Sequence, residues 1–223
     1  MAATGVLLVA ACGGKGSQAK PADPLALLRE AKATLDATSG IHFVLTGSQL
    51  PSGAEGVTAG KGDAVRPDSF QGSLTVSGAG LSGTVEVISV GHVVYAKLPL
   101  IPGYHKVDPA SYGFGDPGQF IDPATGLSSL LVAPTTAAYD GQTRVGGVVL
   151  DRVKAQLPGP QVAQLLGSAD SKAPVDAEIG IDPSSHQIRS VVLTGPFFSS
   201  TQRSTFTLTL SSYGESVQVR APA

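Results

Sequence analysis

The single cysteine of the chain, Cys12, is the residue whose neighbours predict a chemical modification most directly. It follows the apolar run Leu8-Val9-Ala10-Ala11, and the stretch after it, from Gly13 to Pro21, has small or polar residues and nothing to bury. Small residues after an apolar run are typical of the cleavage site of an export signal. A thiol at that position can carry a lipid. We therefore predict a lipidated Cys12 at the start of the mature chain; a buried structural cysteine is the alternative.

This assignment divides the chain into three parts. Residues 1–11 lack Lys and Arg, although a secretory signal needs a basic segment, so we expect a truncated or mis-started signal peptide there. Residues 12–22 form the lipidated N-terminus and a flexible tether, with a root-mean-square span of roughly 15–18 Å. Residues 23–223 form one domain, held by lipid at the outer face of the cell membrane, in the cell envelope.

A glycine motif raises the question of a nucleotide site. Residues 78–83 read Gly-Ala-Gly-Leu-Ser-Gly, which matches the G-x-G-x-x-G spacing of dinucleotide-binding loops. That chemistry requires a helix N-terminus next, whose amides hold the pyrophosphate. Residues 84–88 read instead as a strand, Thr-Val-Glu-Val-Ile. A hairpin is therefore favoured over a nucleotide site.

Patterns expected of an enzyme or a metal site are missing from the sequence. There is no G-x-S-x-G elbow, and the histidines stand singly, without metal-binding spacing, at positions 42, 92, 105 and 186. Five aspartates each precede a proline, which is typical of caps and turns: Asp23, Asp108, Asp116, Asp122 and Asp182. A net charge of -2, with 14% charged residues, excludes a nucleic-acid-binding surface. We predict no catalytic residue, no metal and no cofactor.

The hydrophobic periodicity predicts an α+β domain. Asp23 to Ser39 should form an amphipathic helix with an apolar stripe at Leu25, Leu28, Lys32 and Leu35, and with Leu27 and Ala31 beside it. Alternating apolar and polar residues predict antiparallel strands with one apolar face at 69–76, 81–88, 93–98, 137–145, 148–155, 175–181, 187–194 and 201–210, and a last strand with Val217 and Val219. Two short helices are expected, one at 124–132 and one from Gly159. A proline- and aromatic-rich loop from Leu98 to Pro123 is long enough to be functional.

Two segments resemble an actinobacterial lipoprotein family. Residues 116–127, Asp-Pro-Gly-Gln-Phe-Ile-Asp-Pro-Ala-Thr-Gly-Leu, and residues 210–219, Leu-Ser-Ser-Tyr-Gly-Glu-Ser-Val-Gln-Val, are similar to segments of the LppX/LprA/LprF/LprG lipoproteins. The resemblance implies a strongly curved antiparallel sheet, a half-barrel similar to the LolA and LolB carriers. It also implies helices on the concave face around an apolar cavity. Members of the family bind or carry lipids of the cell envelope.

The function that this resemblance implies is carriage of an acylated lipid or glycolipid across or within the envelope. We expect the protein to be a monomer and to exchange its ligand with a membrane transporter. The candidate lining residues of the cavity are Leu28, Leu35, Phe43, Leu45, Leu74, Val85, Val87, Ile179, Ile181, Phe206, Leu208 and Leu210. Each of these residues also suits an ordinary packed core, and periodicity alone does not distinguish a cavity from a filled core. A membrane-anchored adaptor with a filled core is the alternative; the βαβ alternation of an importer's substrate-binding protein is not seen.

Overall fold

One antiparallel sheet dominates the computed structural model, which describes residues 23–78, 81–112, 115–134, 136–167 and 170–222. Within these residues the sheet has eleven strands, in the spatial order β6-β5-β4-β3-β2-β1-β11-β10-β9-β8-β7. The elements are, in chain order, α1 (Pro24–Ala37), β1 (Gly40–Ser48), β2 (Gly56–Val65), β3 (Ser69–Gly78), β4 (Leu81–Val90), β5 (Val93–Lys97), β6 (His105–Val107), the 3₁₀ helices η1 (Pro109–Tyr112), η2 (Pro117–Gln119) and η3 (Leu127–Val132), β7 (Thr136–Val145), β8 (Val148–Leu157), α2 (Gly159–Leu166), β9 (Val175–Ile181), β10 (Ile188–Gly195) and β11 (Ser204–Ser211).

The sheet consists of two meanders that meet in its middle. Strands β1 to β6 form one meander and β7 to β11 the other, and they join where β1 pairs with β11, with Phe43 opposite Leu210. Strands β6 and β7 consequently lie at opposite edges of the sheet. The chain between them, residues 108–134, which we call the crossing segment, has to traverse the sheet. Its η2 contacts β2, β3 and β4, and its η3 contacts α1 and α2.

One face of the sheet is apolar and covered, and the other faces solvent. In β11, Phe206, Leu208 and Leu210 are buried, while Thr207 and Thr209 between them are exposed, as the alternation predicts. The sheet is open and curved, as expected for so many twisted strands. The prediction of a large curved antiparallel sheet with few helices is therefore confirmed.

Helix α1 packs on the covered side and is capped at both ends. The Asp23 side chain accepts from Leu25 N at 3.0 Å, and Pro24 takes the first helical position. At the other end Arg66 donates to the carbonyls of Leu35 and Thr38, at 3.1 and 2.9 Å. Thr38 has left the helical region, so the helix ends before the predicted Ser39.

Lys32 does not belong to the buried stripe of α1, contrary to the prediction. Its ammonium lies 2.8 Å from Asp36 Oδ2 and donates to the carbonyl of Pro123 at 2.9 Å. The hydroxyl of Ser128, which is fully buried, donates to Asp36 Oδ1 at 2.6 Å. This polar cluster joins α1 to the crossing segment. Leu25 was also predicted in the stripe but is 46% exposed, and the buried residues of α1 are Leu27, Leu28, Ala31 and Leu35.

Three other expectations were wrong in detail. Val217 and Val219 lie outside the sheet, because the chain turns away from β11 at Ser212 and Gly214, both with positive φ. The stretch from Leu98 to Pro123 is not one loop, since it contains β6, η1 and η2, and the helix expected at 124–132 is the shorter 3₁₀ helix η3. Strand β2 was not predicted from the sequence, because small residues, Gly60, Gly62 and Ala64, take the place of an apolar alternation on its buried face.

The polar cluster yields a stability prediction. Asp36→Ala leaves the buried Ser128 hydroxyl and the Lys32 ammonium without their carboxylate, so we expect it to lower the free energy of unfolding by about 1–3 kcal/mol. Urea denaturation followed by circular dichroism measures the change. Glu30→Ala, on the exposed side of the same helix, is the matched control and should change stability by less than about 0.5 kcal/mol. Equal effects of the two substitutions would contradict a role for the cluster.

A second prediction concerns alkaline pH. The Tyr213 hydroxyl donates to the Ile188 carbonyl at 2.8 Å, and burial raises the pKa of this phenol above its ordinary value. The folded state therefore prefers the neutral phenol, so its contribution is complete below the unfolded pKa of about 10 and is lost as the pH rises above that value. Tyr213→Phe should cost about 1 kcal/mol at pH 8. Its deficit relative to the wild type should shrink between pH 10 and 11 in urea titrations; a constant deficit would contradict the prediction.

Candidate functional site

The candidate site is an apolar pocket between the covered face of the sheet and the elements that lie over it. Its volume is about 430 Å³, and its lining residues come from β1, β2, β3, the crossing segment and α2. They are Phe43, Leu45, Val57, Leu74, Gly115, Asp116, Pro117, Gln119, Phe120, Thr125, Gln164, Leu165 and Leu166. The solvent-facing side of the sheet has shallow grooves of similar size, but these are lined by charged residues such as Lys154 and Glu178. Only the apolar pocket suits a hydrophobic ligand among these concavities.

The strand side of the pocket is formed by β1 and β3, with a glycine of β2 between them. Phe43 and Leu45 alternate on β1, and Leu74 lies on the same face of β3. Gly60 pairs with both Leu45 and Leu74 in register, and a Cβ there would lie 2.7 Å from Leu74 Cδ2. Gly60 therefore lets the Leu74 side chain lie across β2, and β2 contributes no large side chain to this part of the apolar face.

The opposite side is built from the crossing segment and α2. The ring of Phe120 packs on that of Phe43, with centroids 4.6 Å apart, and Phe43 in turn stacks on Phe70 at 5.7 Å. This aromatic column fixes the crossing segment to β1 and β3. Leu165 and Leu166, both partly buried, bring apolar side chains from α2.

Two aspartates hold the crossing segment in shape. Asp116 caps η2, and Asp122 Oδ1 accepts from Ala124 N and from both the amide and the hydroxyl of Thr125, at 2.8–2.9 Å. Burial alone would raise the pKa of Asp122, but the bonds from Thr125 and Ala124 outweigh it and the pKa lies below its usual value. Gly118 allows a close approach, since a Cβ there would lie 2.6 Å from the carbonyl of Asp68. These residues explain physically why this segment has a distinctive sequence.

A few polar groups lie among the apolar residues of the pocket. Asp116 Oδ1 accepts from the Ser89 hydroxyl and from Gly118 N, at 2.5 and 2.8 Å. Its other oxygen, Oδ2, is buried without a hydrogen bond, and His92 Nδ1 lies 3.8 Å from it. Amides from Gln119 and Gln164 and the hydroxyl of Thr125 complete the set. The pocket can therefore offer hydrogen-bond acceptors and donors to the polar end of a largely apolar ligand.

The structure brings three of the twelve candidate lining residues to this pocket, namely Phe43, Leu45 and Leu74. The other nine are all buried in the core next to it and do not line it: Leu28, Leu35, Val85, Val87, Ile179, Ile181, Phe206, Leu208 and Leu210. Cys12, the candidate lipidation site, lies outside the described residues.

Sequence reasoning missed the lining residues of β2, the crossing segment and α2. Val57 lies in a strand without alternation, and α2 was expected as a short helix with no assigned role. The available signal was the density of prolines and aromatics between Leu98 and Pro123, which predicted a functional segment. That segment contains five of the lining residues: Gly115, Asp116, Pro117, Gln119 and Phe120.

Other kinds of site have no support in the described part of the chain. It holds no group of three or more histidine, cysteine or acidic side chains placed to bind a metal ion. Among the same residues, neither α-helix has the length and apolar character needed to cross a bilayer.

Comparison with known proteins places this fold in a family. A curated relative, the lipoarabinomannan carrier protein LprG of Mycolicibacterium smegmatis, is 27% identical, with 99% of this chain and 93% of the relative aligned. The crystal structure of LprF from Mycobacterium bovis is similar with a TM-score of 0.74 at 17% identity, covering 90% of this chain and 97% of LprF. That of LppX from Mycobacterium tuberculosis has a TM-score of 0.65 at 18% identity, covering 88% and 98%. These two likenesses show the shared fold.

The sequence pattern of the LppX_LprAFG lipoproteins matches residues 23–219, which include every described secondary-structure element of the chain. The match also contains both segments whose resemblance to the family is visible in the sequence alone. The chain belongs to the LppX_LprAFG lipoprotein family.

Proposed function

We propose that this protein is a cell-envelope lipoprotein that binds an acyl chain of a lipid or glycolipid in the apolar pocket and carries it across or within the envelope. The observation that carries this proposal is the pocket of about 430 Å³ between a packed sheet face and its cover, lined by Phe43, Leu45, Leu74 and the leucines of α2. Volumes of this order are typical of small-molecule sites. The name of the mycobacterial relative, a lipoarabinomannan carrier, supports a lipid-bearing ligand.

In this proposal the apolar face is the concave side of the sheet. The helices α1 and α2 and the crossing segment then form a cover around a cavity, and the gap between cover and sheet admits the ligand. The contacts of η2 with β2 to β4 and of η3 with both α-helices support such a cover.

The size of the pocket suggests one acyl chain. If a methylene occupies ~30 Å³, the volume of a water molecule in the liquid, about fourteen methylenes fit in the pocket. At about 0.8 kcal/mol per methylene, their burial would contribute on the order of 11 kcal/mol before the costs of ordering and association. Burial alone is therefore sufficient for binding, and it discriminates little between acyl chains. A ligand with several chains would require the cover to move.

The polar groups of the pocket suggest where the head group lies. The amides of Gln119 and Gln164 can both donate to and accept from a ligand hydroxyl. A hydroxylated head group such as a sugar or glycerol satisfies these amides.

The remaining proposals concern location and partners. Lipid on Cys12 would hold the domain at the outer face of the cell membrane, and the two chains of a diacylglycerol suffice for a stable anchor. We propose that the protein acts as a monomer and exchanges its ligand with a membrane transporter. Membership of a lipoprotein family supports the envelope location.

A matched pair of substitutions tests the pocket. Leu45 and Leu208 are paired in register across β1 and β11, but only Leu45 lines the pocket, and Gly60 lies on its other side. Leu45→Trp should enter the pocket and lower the affinity for cis-parinaric acid, a fluorescent fatty acid, by tenfold or more, with a stability cost under about 1 kcal/mol. Leu208→Trp should overpack the core and cost about 1–3 kcal/mol, while the folded fraction still binds the probe.

The same measurements separate the alternatives. Fluorescence titration of the delipidated protein gives the affinity, and urea denaturation gives the stability. A wild-type protein that does not bind cis-parinaric acid, with equal destabilisation by both tryptophans, would refute the carrier function and favour a membrane-anchored adaptor with a filled core.

The anchor has its own test. Cys12→Ser removes the acylated thiol, so in an actinobacterial host, with a basic secretion signal placed upstream, we expect the protein to move from the membrane fraction to the soluble fraction. Its thermal midpoint should be unchanged, since residue 12 precedes the folded domain. Retention of the variant on membranes after a high-salt wash would show that the anchor is something other than lipid on Cys12.

A further inference from the structure

The loop between β5 and β6 presents the most exposed large apolar side chain among the described residues. It comprises residues 98–104, Leu-Pro-Leu-Ile-Pro-Gly-Tyr. Leu100 is fully exposed, at 103%, and Ile101 is 46% exposed, with the exposed Pro99 and Pro102 on either side. Leu98, at the base of the loop, packs against the core, so the loop is anchored there while its tip projects into solvent.

The backbone holds Leu100 in this outward position. Ile101 N donates to Leu98 O at 3.3 Å, which closes a β-turn with Pro99 and Leu100 at its centre. Leu100 has a φ of +66°, a left-handed conformation that favours glycine or asparagine at this turn position. An aliphatic residue that is both strained and unburied costs stability without any internal contact in return. Such an outlier indicates a functional constraint outside the folded domain.

The residues that flank the tip suit an interface between apolar and aqueous phases. Tyr104 is partly buried and donates to Glu86 at 3.0 Å, and aromatic residues of this kind favour the head-group region of a bilayer. Lys97 and Lys106 are exposed, but Glu86, 3.5 Å from Lys97, and the nearby Asp108 balance their charge. Attraction to a surface would therefore be mainly apolar and would depend little on salt.

The loop lies at the same end of the sheet as α2 and the start of β2, which are two of the elements that line the pocket. Because the strands alternate in direction, the ends of β1, β3, β5 and β8 share one end of the sheet with the start of β2. This end therefore carries the β5–β6 loop, Val57 near the start of β2, and α2, which follows β8. A surface that binds the loop tip would therefore lie next to the end of the domain at which β2 and α2 line the pocket.

We propose that the β5–β6 loop docks this protein on a lipid bilayer by inserting Leu100 and Ile101 among the acyl chains. A bilayer suits the tip better than a protein does, because two aliphatic side chains fall far short of the roughly 800 Å² that each partner buries in a stable protein interface. Insertion into lipid requires only apolar surface and no complementary shape. The docking stands on the loop alone and holds whether or not the pocket carries a lipid.

Vesicle binding tests the proposal in the full chain carrying Cys12→Ser, which removes the acyl anchor. Leu100→Gly should lower the partition coefficient on phosphatidylcholine vesicles by about fivefold to tenfold, since one aliphatic side chain is lost. Its thermal midpoint should be unchanged or higher, because glycine adopts a positive φ without strain. Val145→Ser combined with Val148→Ser is the matched control: these residues, 38% and 41% exposed, pair at the hairpin tip at the other end of the sheet, and their loss should leave partition unchanged.

A spectroscopic probe provides a second readout. The chain contains no tryptophan, so Ile101→Trp adds a single reporter at the tip. Vesicles should shift the tryptophan emission to the blue, and brominated lipids should quench it. Both effects should be nearly independent of salt and of added phosphatidylglycerol.

Unshifted emission, or equal partition of Leu100→Gly and the unsubstituted loop, would overturn the proposal. Binding seen only with native membranes and lost after digestion of their proteins would identify a protein partner and would also overturn it. Unchanged cis-parinaric acid binding by Leu100→Gly would show that the loop and the pocket act separately, so failure of docking is distinguishable from failure of the carrier function.

Discussion

The structure depends on one constraint, which is that a wide sheet with a single apolar face must have that face covered. The strands β11, β10 and β9 bury apolar side chains on one face, where Leu208, Val191 and Ile179 are neighbours in register, so each strand adds apolar area to the same side. The two described α-helices, of 14 and 8 residues, are short compared with eleven strands. The crossing segment supplies the rest of the cover because the strand order forces it across the sheet. The pocket lies where this irregular cover and the sheet face do not fill the space between them.

The cover is held at its margins by polar contacts and over the sheet by apolar ones. Lys32, Asp36 and Ser128 join α1 to the crossing segment, and Asp116 ties η2 to Ser89 at the end of β4. Phe120 alone of the described crossing residues stacks on Phe43. Between these polar tethers the cover rests on the sheet through dispersion contacts, which are not directional and therefore allow small shifts. That property suits a site that must admit and release a hydrophobic ligand.

Much of the sheet was predictable, and the pocket was not. The alternation of Phe206, Leu208 and Leu210 predicts β11 and its buried face correctly, because a period of two fits a half-buried strand and does not fit the 3.6-residue period of a helix. Strand β2 gave no such pattern, since glycines at 60 and 62 leave its apolar face without side chains. A Cβ at Gly60 or Gly62 would clash with Leu74 or Phe70, so side chains of the neighbouring strand cover these positions. Only pairing with β1 and β3 makes β2 recognisable as a strand.

By itself the sequence determined the class of the protein: a period of two along most strands predicts the one-sided antiparallel sheet, and residues 116–127 and 210–219 identify the family. These features are local, so they can be read without knowing which segments meet. The tertiary structure decided which of the buried residues line the pocket and which pack against other core residues. Leu45 and Leu208 have the same character in the sequence and lie side by side, yet only Leu45 lines the pocket. That difference depends on what the crossing segment and α2 place above each residue, and contacts between segments so distant in the chain have no local signature in the sequence.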